Sequence, residues 1–555
     1  MLSQRNHGQD VQLGNGRLAL ILCGLCLAVF LTGMDQTILA TATPVISNEF
    51  GALSDIAWWS NAYLLTLSSF QLFYGKLYSL YSIKFVYLAA IGLFEVGSLV
   101  CATAPNSVAL IVGRAIAGLG AAGIFSGGIL ITTNIVPLSR RAGYLGIMSG
   151  AFGLAAIIGP FLGGVLTDRA TWRWCFGINL PIGAVTALVC AMLVRIPSGK
   201  EGAKVGFLAK LLQLDIPGTV FIIASLICLL TALQWGGSTY FWNDGRIIAL
   251  FVVFGILAIA FVVTQTTTVT GKASLIPPSL ARNRDIWLAV SYAMCITGGV
   301  YVAVLYLPVW FQAVLRHSAL SSAVMLTPLI AGYVVCSIIA GVLTSSIGYY
   351  SPAMVMGTVL AIAGAALLTT INLQTTTARI VGYQLLYGFG VGFGFGQPSY
   401  VVQTILPPAD VPIGVTLVTL FQNLSASIFV AVAQSIFQSE LRSRLASASG
   451  GADLTSLSSS GAVDFISSLP ANEQQQAREA YSASLVQTMY ISLALSAAST
   501  VGALCIRWGS MKKGNDQTQG VGEDEPPSNG LHETGGGQEK AIHAQASQTQ
   551  GVNGD

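Results

Sequence analysis

Long apolar segments dominate this chain and decide what it can fold into. Runs of about 18 to 25 mostly apolar residues recur along its 555 residues, separated by short polar breaks. Each run is long enough to cross a hydrocarbon core of about 30 Å as a helix, and a helix satisfies its own backbone hydrogen bonds in lipid. A transmembrane β-barrel needs strands of alternating polarity instead, and that alternation is absent from the sequence. The sequence therefore predicts an all-α polytopic membrane protein.

Fourteen of these segments are predicted to be transmembrane helices, and the lipid bilayer is therefore a partner of most of the chain. They cover residues 18–40, 57–76, 85–103, 108–130, 144–166, 176–195, 214–235, 246–265, 286–311, 323–345, 352–371, 380–403, 412–437 and 484–506. With the N-terminus inside, about two-thirds of the 26 lysines and arginines fall in inner segments. This positive-inside bias predicts that both termini are cytoplasmic and that the number of spans is even. It does not distinguish twelve spans from fourteen.

The segments between the spans define the predicted domain boundaries. Residues 1–16 form a cytoplasmic tail, 196–213 a cytoplasmic linker, 266–285 a cytoplasmic loop, and 438–483 a long outer loop with a helix-prone part near its end. The linker is either a short amphipathic helix on the inner membrane surface or a flexible connection. Residues 507–555 are rich in Gly, Gln and Glu, a composition typical of a disordered tail.

Three charged residues lie well inside predicted spans, away from the span ends: Asp35, Glu95 and Arg114. A charge inside a bilayer costs about 3 kcal/mol on insertion scales, so its presence suggests a function. Asp35 lies about five residues before the outer end of the first span, and Arg114 about six residues after the outer start of the fourth. At 1.5 Å per residue the two lie at nearly the same depth, which predicts a buried ion pair. Glu95 is predicted to lie near the middle of the membrane.

Two interpretations of these charges remain open. A carboxylate that takes up a proton from one side and releases it to the other provides the coupling that a proton-driven carrier needs. Alternatively, Asp35 and Arg114 form a static ion pair that only fixes helix packing.

Glycine and proline mark two spans that are expected to bend. The fifth span contains Gly159, Pro160, Gly163 and Gly164, where the proline removes a backbone hydrogen bond and the glycines allow close helix packing. These residues are candidates for gating. The twelfth span has alternating glycines between residues 388 and 396, which do not fall on one helical face. We expect this segment to be soft or locally broken.

Several other kinds of function are excluded by what the sequence contains. Residues 118–123 match the pattern G-x-G-x-x-G, but a dinucleotide site needs a preceding β-strand, and here the pattern lies in an apolar helix. The sequence has no Walker-type loop and only four histidines, without ligand spacing. A net charge of +3 does not favour nucleic-acid binding. We therefore expect no cofactor, no metal site, no enzymatic activity and no nucleic-acid partner.

Five motifs together resemble one known family over roughly residues 17 to 510. They are residues 34–38 with 42–46, Trp58 and Trp59 with Tyr63 and Leu64, Arg114 with Gly118, residues 159–164, and residues 172–181 with the sequence WRWCFGINLP. The chain is similar to the fourteen-span drug:proton antiporter group of the major facilitator superfamily, in particular its fungal toxin-efflux branch. Two positions depart from the family pattern. Ser79 stands where the superfamily commonly has Asp, which weakens the charge interaction that usually forms on the cytoplasmic side. Ala155 replaces the first glycine of the fifth-span motif.

The resemblance implies the major facilitator fold with a central cavity and alternating access. Residues 17–195 and 286–506 would each form a six-helix bundle, and residues 214–265 two extra central spans. It also implies a monomer that exchanges protons for an amphipathic small molecule, in the plasma membrane or the vacuolar membrane. The candidate cavity residues are Tyr292, Gln397, Gln422 and Asn423. The alternatives are an importer of the same fold, taking up a siderophore or nutrient, and a membrane sensor or scaffold that transports nothing.

Overall fold

Helices make up almost all of the structure, a computed structural model that describes residues 15–50, 55–194, 215–236, 240–267, 275–317, 319–408, 410–448 and 471–509. In chain order the helices are α1 Asn15–Thr37, α2 Leu39–Phe50, α3 Ile56–Ser69, α4 Gln71–Leu80, α5 Ile83–Ala102, α6 Ser107–Ile135, α7 Leu138–Arg169, α8 Trp174–Gly177, α9 Asn179–Leu193, α10 Ile216–Trp235, α11 Gly245–Thr267, α12 Pro278–Ala281, α13 Arg284–Ala313, α14 Ala319–Ile347, α15 Ser351–Leu368, α16 Thr377–Phe395, α17 Gln397–Ile405, α18 Val411–Ala448 and α19 Ala471–Cys505. Within these ranges β-pairing is limited to an isolated bridge between Gly236 and Tyr240. The prediction of an all-α fold is confirmed.

Every predicted span coincides with one helix or with two consecutive helices. Twelve helical segments of the described residues are long and apolar enough to cross a membrane individually. The second and twelfth predicted spans instead occur as the pairs α3–α4 and α16–α17, which are interrupted at Phe70 and Gly396. The first span is likewise interrupted at Ile38, between α1 and α2. Hydropathy therefore located the spans, and the structure adds the positions of these breaks.

The helices pack as two bundles with two further spans. Helices α1 to α9 pack on one another, as do α13 to α19, and the two groups meet where α7 runs along α14 and where α4 contacts α18. Helices α10 and α11 pack together, and α10 contacts α3 at the edge of the first bundle. Only 11% of the most apolar stretch of α11 is buried against the rest of the protein, so this helix exposes most of its surface. The helix contacts thus group α1 to α9, α13 to α19, and the pair α10 and α11.

The helices on either side of the predicted outer loop extend further than expected. We predicted a loop over residues 438–483, but α18 continues to Ala448 and α19 begins at Ala471. The helix-prone segment before Tyr481 thus belongs to a 35-residue helix. The predicted linker at 196–213, the N-terminal tail through residue 14 and the C-terminal tail from residue 510 lie outside the described residues.

The alternating glycines of α16 form a regular helix as far as Phe395, and the local break that we predicted for this segment occurs at Gly396. Residues two positions apart on a helix point to opposite sides, whereas residues four apart share a side. Gly388 and Gly392 accordingly pack against the backbone of α14, at the carbonyls of Leu329 and Tyr333. Gly390 packs on the other side, against the backbone of Ala361 in α15. The glycines let α16 approach two neighbours at once, and the helix breaks only at Gly396.

We expect Gly390→Ala to destabilise the protein, because the new methyl group would collide with the backbone at Ala361, which cannot move as a side chain can. Overpacking of this kind costs about 1–3 kcal/mol. The measurement is thermal unfolding in detergent, followed by a thiol-reactive dye that labels cysteines as they become exposed. Gly382→Ala is the matched control, since Gly382 lies on the same helix with no atom within 4 Å of the added carbon. Equal unfolding temperatures for the two variants would contradict the packing argument.

Candidate functional site

A buried ion pair lies at the centre of the first bundle. The Arg114 Nη1 atom on α6 lies 2.5 Å from Asp35 Oδ2 on α1. Asp35 is fully buried and Arg114 is 1% exposed. The pairing predicted from the matched depths of the two residues is therefore present. Because both charges are removed from water, each residue stabilises the charged form of the other, and loss of either would leave a buried charge unpaired.

The remaining polar atoms of Arg114 bind the backbone of the first bundle. Its Nε atom donates a hydrogen bond of 2.8 Å to the carbonyl of Trp59, and its Nη2 atom one of 3.4 Å to the carbonyl of Asp35. The guanidinium also lies over the ring of Tyr63, 4.4 Å from its centre. Contacts with an aromatic face and with backbone carbonyls favour a cation. Arg114 thus has partners that remain if Asp35 becomes neutral.

The second oxygen of Asp35 is bound by Asn179, the first residue of α9. The Asn179 Nδ2 atom donates to Asp35 Oδ1 at 3.2 Å and to Ser98 Oγ on α5 at 3.1 Å. Neither Asn179 nor Ser98 was predicted from the sequence as a site residue. A signal was available, because Asn179 is the one amide residue of the motif at 172–181 and lies next to the start of an apolar run. The site therefore joins α1, α5, α6 and α9.

Glu95 lies on the same helix as Ser98, three residues earlier and so on a neighbouring part of the same face. Both of its carboxylate oxygens are buried, and neither has a hydrogen-bond partner among the described residues. A Cβ atom on Gly183 of α9 would occupy the space of this carboxylate, so glycine is needed there. The structure places Glu95 in the first bundle, apart from the hydrogen bonds of the ion pair. An unpaired buried carboxyl group favours the neutral, protonated form.

A chain of hydrogen bonds connects the site to the predicted outer surface. Trp59 Nε1 donates to Ser107 Oγ at 2.9 Å, and the Ser107 hydroxyl donates to Asp55 Oδ2 at 2.6 Å. Asp55 precedes α3 and is partly exposed. Because the carbonyl of Trp59 accepts from Arg114, this chain fixes the position of Arg114 relative to the outer ends of α3 and α6.

The first residues of the motif at 172–181 form a second contact near the outer surface. Trp172 Nε1 donates to Glu49 Oε2 at 2.6 Å, and Arg173 Nη1 donates to Glu49 Oε1 at 2.9 Å. The hydrogen bond from Trp172 and the charge of Arg173 lower the pKa of Glu49 below its ordinary value. Phe176 of the same motif lies 5.7 Å from the Arg114 guanidinium. The motif therefore runs from the end of α2 inward to the ion pair.

The candidate gating residues lie on α7 beside the helix that carries Asp35. Gly159 packs against the hydroxyl of Thr37, which donates to the carbonyl of Ala155 at 3.4 Å. Pro160 lies inside the continuous helix α7. The carbonyl of Gly163 accepts a 3.8 Å hydrogen bond from the thiol of Cys175, whereas Gly164 has open space around it. The motif thus contacts α1 two residues after Asp35, at the interruption between α1 and α2.

The four candidate cavity residues have different surroundings and do not line one cavity among the described residues. Gln422 lines a small cavity between the bundles with Phe125 of α6 and Tyr400 of α17. Tyr292 is buried inside the second bundle, where its hydroxyl donates to the carbonyl of Met354 at 3.0 Å. Gln397 is buried in the same bundle, and its side-chain oxygen accepts from the hydroxyl of Thr344 at 3.3 Å. Asn423 is half-buried. Of the four predicted residues, the structure brings Gln422 to the interface between the bundles.

The two bundles are joined at the side that the lysine and arginine pattern assigns to the cytoplasm. Two hydrogen bonds join helix α7 to the second bundle. The backbone N–H of Gly143 donates to Ser345 Oγ at 3.1 Å, and the Tyr400 hydroxyl donates to the carbonyl of Ala142 at 3.0 Å. The side chain of Tyr333 reaches further along α7, donating to the carbonyl of Ser149 at 3.1 Å. The bundles therefore close against each other on this side.

The loop after the second span also takes part in this contact, although it lacks the usual Asp at position 79. Gly75 on α4 packs against the hydroxyl of Thr416 on α18. The neighbouring Lys76 is 4% exposed and lies in the electric field of the Asp215 and Asp410 carboxylates. Asp215 stands before α10 and Asp410 before α18. Acidic groups therefore face this loop from the extra spans and from the second bundle.

Comparisons with known proteins agree on one family. The model of the Major Facilitator Superfamily matches residues 25–430. An MFS thioclapurine efflux transporter of Claviceps purpurea is 46% identical over 497 residues, which are 90% of this chain and 91% of that protein. An MFS-type efflux pump of Trichophyton rubrum is 42% identical over 496 residues, 89% of this chain and 92% of that protein. Among solved structures, a proton:xylose symporter aligns over 90% of this chain and 98% of its own with a TM-score of 0.61. Its 12% sequence identity shows a shared fold alone.

We expect Arg114→Met to destabilise the protein by about 3–5 kcal/mol, because the buried Asp35 carboxylate loses its charged partner. The double variant with Asp35→Asn should be more stable than Arg114→Met alone, since it removes the unpaired charge. Thermal unfolding in detergent is measured for the wild type, for Arg114→Met, for Asp35→Asn and for the double variant. The control is Glu440→Gln, which breaks the exposed ion pair with Arg444 and should change stability by about 1 kcal/mol at most. Additive losses in the double variant would show that the two residues do not interact.

Proposed function

The chain belongs to the Major Facilitator Superfamily, and from that premise we propose that it is a secondary transporter that exports small amphipathic organic molecules in exchange for protons. The family match and the relatives that are named as efflux transporters and pumps support export. The observation that carries proton exchange is the ion pair of Asp35 and Arg114, sealed inside the first bundle. A charge pair inside a membrane bundle is costly and is typical of ion and proton pathways.

Protonation of Asp35 is the proposed driving step. A proton from the outer side neutralises Asp35, and the charge attraction to Arg114 is lost. Arg114 keeps its hydrogen bond to the carbonyl of Trp59 and its contact with the Tyr63 ring, but its charge is then unpaired, which favours a rearrangement around it. Because Asp35 is fully buried in this conformation, proton exchange requires the helices around it to move. Proton uptake and conformational change are therefore linked.

The contact between Thr37 and Gly159 links this step to the movement of the bundles. Thr37 lies two residues from Asp35 and packs on α7, and α7 is the helix that joins the second bundle through Ala142 and Ser149. A shift of the outer end of α1 would therefore act on α7 near Pro160, where a helix lacks one backbone hydrogen bond. We assign the conformation in the structure to the state that is closed towards the cytoplasm.

Glu95 is proposed as a second proton-carrying group. Its carboxyl group is buried without a hydrogen-bond partner among the described residues, near the negative charge of Asp35. Two carboxylates in the same buried, low-dielectric region oppose simultaneous ionisation. A proton on Glu95 therefore favours a charged Asp35, and the two sites exchange protons as a coupled pair.

The substrate is proposed to bind between the bundles, where aromatic and neutral side chains meet. Phe125 and Phe152 of the first bundle contact edge-to-face at 5.9 Å, and Tyr333 and Phe395 of the second at 5.5 Å. Gln422 adds a neutral hydrogen-bonding group at the cavity between them. Such a lining favours an uncharged, partly apolar molecule. A proton moving through 100 mV supplies about 2.3 kcal/mol, which is enough for roughly 50-fold accumulation of a neutral solute.

The proposed orientation, oligomeric state and membrane of the protein follow from its sequence and its helix packing. Both termini face the cytoplasm, as the distribution of lysine and arginine predicts. The protein acts as a monomer, because each six-helix bundle finds its partner within the same chain. It resides in the plasma membrane or in the membrane of the vacuole, and in either place export removes the substrate from the cytoplasm.

We expect Asp35→Asn to abolish transport driven by a pH gradient, because an amide cannot carry the proton. Purified protein in proteoliposomes, with an imposed pH gradient and an amphipathic fluorescent substrate, provides the measurement. Asp244→Asn is the matched control. Asp244 lies just before α11, outside the two bundles, and its carboxylate accepts from the backbone N–H of Arg246. Gradient-driven uptake by Asp35→Asn at the wild-type rate would show that Asp35 does not couple proton movement to transport.

The direction of transport can be tested independently of the proton. Cells from which this protein is removed should accumulate its substrate, and re-expression should lower the internal concentration several-fold. Untargeted metabolite analysis of cells and medium measures both pools. Lower internal concentrations in the deletion cells would instead identify an importer.

A further inference from the structure

The motif at 172–181 contains a buried amide that touches the ion pair, and the proposed function leaves this amide unused. Asn179 is fully buried. Its Nδ2 atom donates to Asp35 Oδ1 at 3.2 Å and to Ser98 Oγ at 3.1 Å. Its Oδ1 atom is also buried and has no hydrogen-bond partner among the described residues. Asn179 therefore presents only its donor side to the carboxylate.

An amide is suited to a partner that changes its protonation state. A carboxylate only accepts hydrogen bonds, whereas a protonated carboxyl group also has a donor. The two ends of an asparagine side chain have nearly the same shape, and a half-turn about its last torsion exchanges the donor for the acceptor. A serine hydroxyl, such as that of Ser98, both donates and accepts. Asn179 can thus form a hydrogen bond with either form of Asp35 and keep a hydrogen bond with Ser98 in both cases.

We propose that Asn179 is a positioning residue that follows the protonation of Asp35 by turning its amide. With Asp35 charged, Nδ2 donates to Asp35 and Ser98, as the structure shows. With a proton on Asp35 Oδ1, the amide turns, and its oxygen accepts from the Asp35 acid and from the Ser98 hydroxyl. Asp35 Oδ2 keeps facing Arg114 in both forms. This inference rests on the proposed proton exchange at Asp35.

The position of Asn179 in the fold links this turn to a larger element. Asn179 begins α9, and the residues before it contact Arg114 through Phe176 and the end of α2 through Trp172. Without the turn, a protonated Asp35 would direct its new O–H group at the N–H group of the amide, and two buried donors would face each other. The turn removes that conflict, so Asp35 can accept a proton without displacing α9.

Other charged and titratable groups face Asp35, and they stay unchanged in the experiment. They are Arg114 from α6, Tyr63 from α3, Glu95 and Cys101 from α5, and Cys175 from α8. A change in the titration of Asp35 after a substitution at position 179 therefore reports the amide itself.

The test follows the Asp35 carboxyl group directly, by infrared spectroscopy of the full-length protein in lipid nanodiscs over a range of pH. The carboxylic-acid band that disappears in Asp35→Asn belongs to Asp35. In Asn179→Leu the charged form loses a charge-assisted hydrogen bond, while the neutral form loses a weaker one. We expect the proton affinity of Asp35 to rise about tenfold, so that its half-titration moves up by about one pH unit. The acid band should also shift to the frequency of a free carboxyl group, because its acceptor is gone.

The control is Thr186→Val, which removes a buried hydroxyl from the same helix whose hydrogen bond goes to the carbonyl of Ile182 in that helix. This variant should titrate like the wild type. If Asn179→Leu does not fold, Ser98→Ala provides the second test, because it removes only the other partner of the amide and should cause a smaller rise. An unchanged half-titration and an unchanged acid band in a folded Asn179→Leu protein, or in Ser98→Ala, overturn the inference.

The outcomes separate this inference from the proposed function. A shifted titration in Asn179→Leu together with pH-independent transport by the wild type would support the role of Asn179 and reject proton-driven export. Loss of gradient-driven transport in Asp35→Asn together with an unchanged titration in Asn179→Leu would support export and reject the role of Asn179. An Asp35 band that does not titrate in the wild type would reject both.

Discussion

The buried contact between Asp35 and Arg114 is the interaction on which the first bundle depends. Two charges removed from water need each other and need further polar partners. The protein supplies those partners from three neighbouring helices: the carbonyl of Trp59 from α3, Ser98 from α5 and Asn179 from α9. The ion pair therefore fixes where these helices lie relative to one another. A group that changes its charge at this position acts on all three of them.

Close helix packing determines how such a change can spread. Glycine allows backbones to touch where α16 meets both α14 and α15, and it makes room for the Thr37 hydroxyl where α7 meets the end of α1. Where backbone packs on backbone, no side chain lies between the helices to absorb a movement by changing rotamer. A displacement at one helix is therefore passed on as a movement of its neighbour. The middle of the continuous helix α7 contacts the end of α1, where Thr37 donates to the carbonyl of Ala155. The same helix contacts the second bundle through Ala142 and Ser149, so it connects the ion pair to the interface between the bundles.

The sequence predicted some features of this protein and could not predict others, for physical reasons. Apolar length determines where a helix crosses lipid, and a fixed rise per residue gave the common depth of Asp35 and Arg114. Asn179 was missed because its amide carries no charge, and the predicted ion-pair site was built from charged residues alone. Tyr292 and Gln397 were assigned to a cavity, but both are hydrogen-bonded inside the second bundle. When lipid and protein interior are both apolar, hydropathy does not reveal which face of a helix points to which surroundings.

The departure at Ser79 shows how the extra spans are tied to the core. The loop after the second span lacks the acidic residue that the superfamily commonly has, yet the buried Lys76 still faces carboxylates, those of Asp215 and Asp410. Asp215 is held in place by the amide of Gly218 at 3.0 Å and by the side chain of Gln265 at 2.5 Å, so both extra spans fix its position. The negative charge at this contact therefore comes from the extra spans and the second bundle. Closure on this side thus involves all three parts of the protein, whereas the Asp35–Arg114 pair lies within the first bundle alone.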